Sequence, residues 1–340
     1  MNVDLSTRYL GLTLKNPLGA SAGPLTGNLD TLRRLEAAGA SVVVLPSLFE
    51  EQIRHEELEI ERLYEYQAES FAESLTYFPE LEEYHTGPRD YLKRVETAKR
   101  KVSIPVIGSL NGCSSGGWIR YAKDIQNAGA DALELNIYFV PTDPQTTAAQ
   151  VEQRYVNLVA EVCRSVTIPV AVKIGPHFSS LPHFAGRLVA AGAAGLVLFN
   201  RYLEADIDLE TLHFKPDLVL SNRHEARVPI RWIAILRDQI RASLAATGGV
   251  HRMEGVIKLL LAGADVTFMT SVLLLNGPDF LRSLLLDVAR WIEEHEYSSV
   301  EQLKGSMSRG NAPDPGALER ANYTQALVNY TTQNPVPFSK

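Results

Sequence analysis

The sequence predicts an α/β fold, a single closed (β/α)₈ barrel, and three observations lead to it. The length of 340 residues suits one such barrel with insertions. A helix end, a glycine and an apolar run follow one another four times, and the glycines are Gly39, Gly129, Gly192 and Gly263. A second junction, in which Pro105 or Pro169 opens the apolar run, alternates with the first. Repeated βα units of this kind favour a closed barrel over an open sheet.

Eight short apolar runs are predicted as the barrel strands, because parallel strands buried on both faces are almost entirely apolar. In chain order the runs are Leu18–Ala22, Val42–Leu45, Val106–Ser109, Leu133–Asn136, Val170–Ile174, Leu196–Phe199, Leu244–Ala246 and Val266–Met269. Seven helical patterns lie between them, and an eighth follows at Pro278 to Glu294. This is the arrangement of a TIM barrel.

Additional segments surround the predicted barrel. Ser6 to Pro17 alternates apolar and polar residues, which predicts a hairpin across the N-terminal mouth. Insertions follow the second strand, over residues 50–85, and the sixth strand, over residues 201–228. The first insertion holds twelve Glu and two Arg and is expected to form an amphipathic helix over the barrel. We expect one domain over residues 1–305, with 306–340 as a tail against the barrel or a subunit contact.

Composition excludes several classes of protein. Hydrophobic residues at 45% and charged residues at 21% are ordinary for a globular protein, and the net charge of −7 argues against a general nucleic-acid binder. No apolar run reaches the ~20 residues of a membrane helix, and the N-terminus lacks a signal peptide's apolar stretch. Cys113 and Cys163 are too few for a disulfide framework or an iron–sulfur cluster, and no metal site is predicted. We expect a cytoplasmic protein with no membrane or nucleic-acid partner.

The residues that end the strands decide the chemistry, because they face the active-site mouth of a barrel. After the first six strands these are Ala20, Ser21, Ala22, Gly23, Ser47, Asn111, Asn136, Lys173 and Asn200. The small residues of the first strand let a flat ligand approach the backbone. The three asparagine amides suit the hydrogen-bonding edge of a heterocycle, and Asn111 is a candidate substrate ligand.

The last two strands end in a predicted phosphate site. Gly248 and Gly249 follow the seventh strand and precede a helix, and Thr270 and Ser271 follow the eighth. Backbone N–H groups at such a place hold a phosphate dianion in many barrels. The pairing of the two motifs on neighbouring strands therefore predicts a phosphate-bearing ligand.

Lys173 lies within a central strand, where an unpaired lysine is costly to bury. One interpretation is a buried ion pair with Glu134 on the neighbouring strand. The others are a Schiff-base nucleophile, or a fixed cation beside an electron-accepting ring. The neighbouring asparagines favour the last of these, with a flavin as the ring.

The strand ends resemble those of the dihydroorotate dehydrogenase family, which are FMN-binding barrels. The resemblance spans most of the chain. It is carried by NPLGASAG at Asn16–Gly23, Ser47, ELN ending at Asn136, VKI around Lys173, ATGGV at Ala246–Val250 and MTS at Met269–Ser271. The motifs are short, but their order and their places on the strands are together specific.

The resemblance implies a hydride transfer to N5 of FMN. Residues Ala20–Gly23 are then the backbone facing the N5 edge, and Lys173 is the cation beside N1 and O2. Ser47 and Asn136 contact the flavin, and Asn200 binds the substrate. The resemblance also implies a homodimer.

The loop after the fourth strand departs from the family. Members with the standard activity carry a Cys or Ser base there, in a pattern like N-L-S-C-P-N. Phe139 stands at that position, and a phenyl ring cannot take a proton. Pro141 replaces the asparagine that closes the motif, and Pro46 replaces a lysine after the second strand. Residues that read orotate are lost, while those that read FMN remain.

Other residues are candidates for the missing base. Tyr138 and Thr142 lie in the same loop, Cys113 follows Asn111, and His177 follows Lys173 by four residues. Beside Lys173, we take Tyr138 and Cys113 as the catalytic candidates.

Three functions are consistent with the sequence. The first is an FMN-dependent oxidoreductase acting on a small, heterocyclic CH–CH substrate other than dihydroorotate. The second is a true dihydroorotate dehydrogenase of pyrimidine biosynthesis with a relocated base. The third is a flavin-free protein such as a Schiff-base aldolase using Lys173. For the oxidoreductases, a soluble electron acceptor or a redox protein is expected, because no G-x-G-x-x-G motif follows an early strand.

Overall fold

A computed structural model describes residues 3–53, 87–112, 118–201, 205–216, 218–313, 315–319 and 327–329. The strands are β1 (Thr7–Tyr9), β2 (Leu12–Leu14), β3 (Leu18–Ala20), β4 (Val42–Phe49), β5 (Val106–Asn111), β6 (Ala132–Asn136), β7 (Val170–Ile174), β8 (Gly195–Leu198), β9 (Ala205–Asp208), β10 (His213–Pro216), β11 (Ser243–Thr247) and β12 (Val266–Met269). The helices are α1 (Pro24–Gly27), α2 (Leu29–Ala37), α3 (Pro88–Lys101), α4 (Trp118–Asn127), α5 (Ala148–Ser165), α6 (Leu181–Ala190), α7 (Arg227–Leu236), α8 (Met253–Ala262), α9 (Ser271–Asn276), α10 (Phe280–Glu294), α11 (Val300–Leu303) and α12 (Gly316–Glu319).

Eight parallel strands close into a barrel in the order β3, β4, β5, β6, β7, β8, β11 and β12, with β12 paired back to β3. The predicted (β/α)₈ barrel and each of its eight strands are confirmed. The second strand runs further than predicted, to Phe49, and its register with β5 shifts between Val44 and Ser47. Beyond that irregularity, β4 still pairs with β5, from Ser47 with Ser109 to Phe49 with Asn111.

The barrel interior is apolar at its amino-terminal end. Alternate strand residues fill it, and the β1–β2 hairpin covers the end, as the alternation of Ser6–Pro17 predicted. The interior side chains are Tyr9, Leu10, Leu14, Val42, Val44, Ile107, Ala132, Ala171, Val197, Ala245, Val266 and Phe268. Tyr9 packs edge-on against Phe268, with ring centroids 5.8 Å apart.

The repeated helix-to-strand junctions share one construction. The four glycines have positive φ, from 94° at Gly129 to 119° at Gly263, which is the left-handed cap predicted for them. In two of the repeats an aspartate then holds the start of the preceding barrel strand. Asp131 accepts from the backbone N–H of Val106, and Asp265 accepts from that of Leu244.

The insertion after β8 contains the antiparallel hairpin β9–β10. Beyond its first four residues, the insertion at 50–85 lies outside the described residues, and so does the amphipathic helix predicted there. In the tail, Met307 and Arg309 donate backbone hydrogen bonds to Leu261 on α8 and Ala234 on α7. The single-domain boundary at 305 stays a prediction. Within the described ranges, no helix is both long and apolar enough to cross a membrane.

Two glycine substitutions test the packing of the barrel in opposite directions. A Cβ at Gly19 would lie 2.7 Å from Phe268 Cε1 and 2.8 Å from Val42 Cγ1, inside the closed interior. We expect Gly19→Ala to destabilise by about 1–3 kcal/mol through overpacking. Gly186, inside α6, has open space at its Cβ position, so Gly186→Ala should stabilise by about 1 kcal/mol. Urea unfolding midpoints measure both, and equal shifts of one sign would contradict this packing.

Candidate functional site

Polar side chains occupy the carboxyl end of the barrel interior, above the apolar residues. Asn111, Asn136 and Lys173 are register partners across β5, β6 and β7. Their strands place them on the interior side, because Lys173 lies two residues beyond the interior Ala171. Asn136 and Lys173 are buried, and Asn111 is half-buried. Three of the predicted site residues thus form one polar row at the mouth.

Lys173 has a buried counter-ion. Its Nζ lies 3.6 Å from Glu134 Oε1, and the two side chains are 9% and 1% exposed. The ion pair considered for these residues is therefore present. At this separation the pair is electrostatic rather than a close hydrogen bond, so the ammonium keeps donors for another acceptor. A cation held in this way fits the role of a fixed charge as well as that of a structural ion.

An amide pair joins two of the predicted ligands. Asn200 Nδ2 donates to Asn136 Oδ1 over 2.8 Å, and the Asn200 backbone N–H donates to Ile174 O. The bond uses the acceptor of Asn136 and leaves both of its amide hydrogens, while Asn200 keeps its own carbonyl oxygen. The residue predicted to contact flavin and the residue predicted to bind substrate therefore act as one unit.

Ser47 is tied to a residue that the prediction did not include. Its Oγ lies 2.7 Å from Ser109 Oγ, and Ser109 is fully buried two residues before Asn111. Tyr91 on α3 brackets that serine, donating to Ser109 O and accepting from Ser109 N–H. Burial raises the pKa of Tyr91 above its ordinary value, so it stays a neutral donor. Ser109 could be inferred from the sequence because it lies on the same face of its strand as Asn111. Tyr91 lies on a helix, and no sequence pattern pointed to it.

The first, seventh and eighth strands converge at the other side of the mouth. Gly248 and Gly249 have φ of 92° and 74°, in the left-handed region that glycine adopts without strain. A Cβ at Gly23 would lie 2.9 Å from Thr270 Cγ2, so these two loops touch. Ser21 donates its N–H to Met269 O. Ala20 is buried in β3, while Ala22 and Gly23 are half-buried.

Two residues that the sequence did not indicate join this corner. The backbone N–H of Ser221, in the insertion after β8, donates to Ser271 Oγ over 3.1 Å. Ser221 Oγ in turn lies 3.1 Å from His251 Nε2. No motif could have found Ser221, because it comes from a segment far from Ser271 in the chain.

The loop after β6 carries Phe139 and two of the candidate bases, Tyr138 and Thr142. Phe139 packs against the hydrophobic core, and the guanidinium of Arg154 on α5 lies 4.5 Å from its ring centroid. Among the candidate bases, Tyr138 is half-buried, and Thr142 and His177 are exposed. Cys113 lies outside the described residues. Burial raises the pKa of Cys163, on α5, to about 11, which leaves it a protonated thiol at neutral pH.

Comparison with known proteins gives a family. A family model described as dihydroorotate dehydrogenase matches residues 82–291. The putative dihydroorotate dehydrogenase A (fumarate) of Aeropyrum pernix is 29% identical over 237 residues, covering 66% of this chain and 74% of that one. The catalytic subunit of dihydroorotate dehydrogenase B (NAD(+)) from Thermoplasma acidophilum is 24% identical over 316 residues, covering 89% and 98%. The corresponding subunit of Listeria monocytogenes is 26% identical over 233 residues, covering 66% and 73%.

The family match covers more than half of the chain. It includes β5 to β12, with the polar row of Asn111, Asn136 and Lys173 and with Gly248 and Gly249. The relatives extend the similarity to nearly the whole chain. The chain belongs to the dihydroorotate dehydrogenase family and is an oxidoreductase that acts on CH–CH bonds.

Proposed function

We propose that the protein is an FMN-dependent oxidoreductase that transfers a hydride between a small heterocyclic substrate and flavin N5, and that this substrate is not dihydroorotate. The observation that carries the proposal is that one barrel mouth has two chemically different sides. A buried lysine and an amide pair lie at the carboxyl ends of β6 to β8, and a glycine turn with two hydroxyl side chains follows β11 and β12. A flavin ring and its phosphate need these two environments at opposite ends of one ligand.

The residues at the mouth fit FMN. Gly248, Gly249, Thr270 and Ser271 offer backbone and hydroxyl donors to the phosphate, with the glycines already in the conformation such a site needs. Residues Ala20–Gly23 present no side chain beyond a hydroxymethyl, which leaves room for a flat ring. Lys173, Asn136 and Ser47 offer a cation, amide hydrogens and a hydroxyl to the polar edge of that ring.

FMN, when bound, supplies the hydride acceptor at N5. Lys173 places a fixed positive charge in a buried site, where it stabilises negative charge more strongly than it would in water. Glu134 holds that ammonium without taking its hydrogen-bond donors. Asn136 orients Asn200, whose free carbonyl oxygen then presents an acceptor to a donor on the substrate.

The loop after β6 argues for a different substrate. Phe139 cannot accept a proton, and its ring is engaged by Arg154 and the core. Pro141 and Pro46 lack the side-chain donors that the family uses to hold orotate. The residues expected to hold the cofactor are thus present, while those that the family uses to hold dihydroorotate are replaced.

A true dihydroorotate dehydrogenase of pyrimidine biosynthesis remains the second candidate, since the relatives carry that name. In that case Tyr138 or Cys113 supplies the base. Membership in an oxidoreductase family favours both over a Schiff-base aldolase.

We also propose a cytoplasmic enzyme with a soluble acceptor or a redox protein as its partner. The relatives' names carry two acceptors, fumarate and NAD(+), so the family does not fix this one.

A homodimer forms part of the proposal, and the β9–β10 hairpin supports it. Ile207 and Phe214 are cross-strand partners on one face, and they are 52% and 76% exposed. The opposite face pairs Asp206 with Lys215 and Asp208 with His213. A two-stranded hairpin with an uncovered apolar face is marginally stable alone, and a second copy covers such a face self-complementarily.

The visible spectrum of the purified protein tests the cofactor and the substrate together. We expect flavin absorption bands that persist when L-dihydroorotate is added without oxygen, because no base stands at position 139. Bleaching would instead establish the second candidate, a relocated base. Persistent bands lead to a screen of other reduced heterocycles. A colourless protein that takes up no added FMN would contradict the flavin assignment.

Replacing the buried lysine tests its electrostatic role. We expect Lys173→Met to slow flavin reduction, by the best reductant found in that screen, on the order of 10²-fold. The control is Lys99→Met, because Lys99 is also in an ion pair, 2.6 Å from Asp131, but lies on α3 outside the barrel. Stopped-flow absorbance measures both. Equal rates in the two variants would show that Lys173 has only a structural role.

A charged substitution on the apolar face of the β9–β10 hairpin tests the proposed dimer interface. Phe214→Asp should convert the dimer to a monomer, since it buries a carboxylate in an apolar contact. Lys215→Gln alters the opposite face and should leave the dimer intact. Sedimentation velocity distinguishes the two. A monomeric wild-type protein would refute the proposed dimer, and a dimeric Phe214→Asp variant would place the interface elsewhere.

A further inference from the structure

The insertion after β8 brings a serine and a histidine together at the phosphate corner. Ser221 Oγ lies 3.1 Å from His251 Nε2, and both residues are half-buried. Ser221 belongs to the insertion, whereas His251 follows Gly249 by two residues in the loop between β11 and α8. Neither is used by the site as derived above, and a hydroxyl–imidazole pair beside an anion site is chemically suited to take part in it.

The pair is directly connected to a predicted phosphate ligand. The Ser221 backbone N–H donates to Ser271 Oγ over 3.1 Å. A hydroxyl has one hydrogen and two lone pairs, so Ser271, accepting from Ser221, retains its own hydrogen for donation. The same holds for Ser221 when His251 Nε2 donates to its oxygen. The network therefore leaves two hydroxyl hydrogens to donate, on Ser271 and Ser221.

The insertion segment that carries Ser221 is held against the barrel. Gly249 approaches it so closely that a Cβ there would lie 2.2 Å from the backbone nitrogen of Ala226. Glu225 accepts from the Asn222 N–H over 2.9 Å and lies 3.6 Å from Arg201 Nε. Arg201 also donates to the Val219 carbonyl. Ser221 is thus positioned before any ligand arrives, which lowers the cost of ordering it.

We propose that Ser221 is an additional ligand of the cofactor's phosphate and that His251 positions it, with the imidazole donating to Ser221 Oγ and the serine hydroxyl donating to the phosphate. This inference rests on the proposed FMN site and assigns part of its affinity to the insertion. The insertion is then a piece of the cofactor site as well as a carrier of the exposed hairpin. A phosphate monoester is the ligand chemistry it selects, since riboflavin ends in a neutral hydroxyl and has no anionic oxygen to accept from Ser221.

Comparison of FMN with riboflavin isolates the phosphate contribution. The full-length protein, freed of flavin, is titrated with each ligand, and binding is followed by quenching of flavin fluorescence. Wild-type protein should bind FMN more tightly than riboflavin. Ser221→Ala should weaken FMN binding by about tenfold, the loss of one charge-assisted hydrogen bond, and His251→Ala should weaken it in the same direction by releasing the serine hydroxyl, while riboflavin stays within about twofold for both. His183→Ala, an exposed histidine on α6, is the control and should change neither.

The outcomes separate this inference from the proposed function. Unchanged riboflavin affinity shows that a variant is folded, so a selective loss of FMN binding supports Ser221 as a phosphate ligand and His251 as the residue that positions it. If wild-type protein binds FMN tightly and both variants keep its FMN-to-riboflavin ratio, the inference alone is wrong. Equal weakening of both flavins would also overturn it, because the pair would then only hold the insertion in place. A wild-type protein that binds neither flavin refutes the proposed function itself.

Discussion

The two-residue alternation of side chains in a closed parallel barrel is the constraint on which the rest of the structure depends. Ala171 and Lys173 share one face of β7, so the strand that contributes to the apolar interior must also place its lysine inside. Burying that ammonium is affordable only beside Glu134, which the same alternation places inside on β6. The sealed hairpin end keeps water from the apolar layers beneath this pair. The position and charge of the reactive mouth are therefore consequences of how the barrel is packed.

The fold was almost wholly predictable, because each of its determinants is local in sequence. A left-handed glycine such as Gly263 ends a helix wherever it occurs, and an apolar run of four or five residues between helices has few alternatives to a buried parallel strand. The bounds of the strands were less predictable, because local pattern does not decide where pairing stops. The extension of β4 to Phe49 depends on an irregular register with β5, which is a property of two strands and not of one.

The residues of the candidate site that lie at strand ends were predictable from the sequence, and those that lie elsewhere were not. Lys173, Asn136 and Asn200 end neighbouring strands, and their contacts follow from barrel order. Ser221 and Tyr91 were missed because each reaches the mouth from an insertion or an outer helix, through contacts between residues far apart in the chain. Only part of the role of Phe139 could be predicted from the sequence. Its inability to accept a proton is evident from its chemistry, but its contact with Arg154 depends on the fold of the loop.

Under the proposed function, these differences account for a cofactor site that is kept while the substrate site changes. The glycine turn acts through backbone conformation, and Lys173 and Glu134 are fixed by the barrel core, so altering either disturbs packing as well as chemistry. Position 139 is in a loop, and the phenyl ring there contacts one arginine and the edge of the core. Substrate chemistry can therefore be exchanged at little cost in stability. A search for the substrate should accordingly vary the reduced heterocycle and hold the flavin constant.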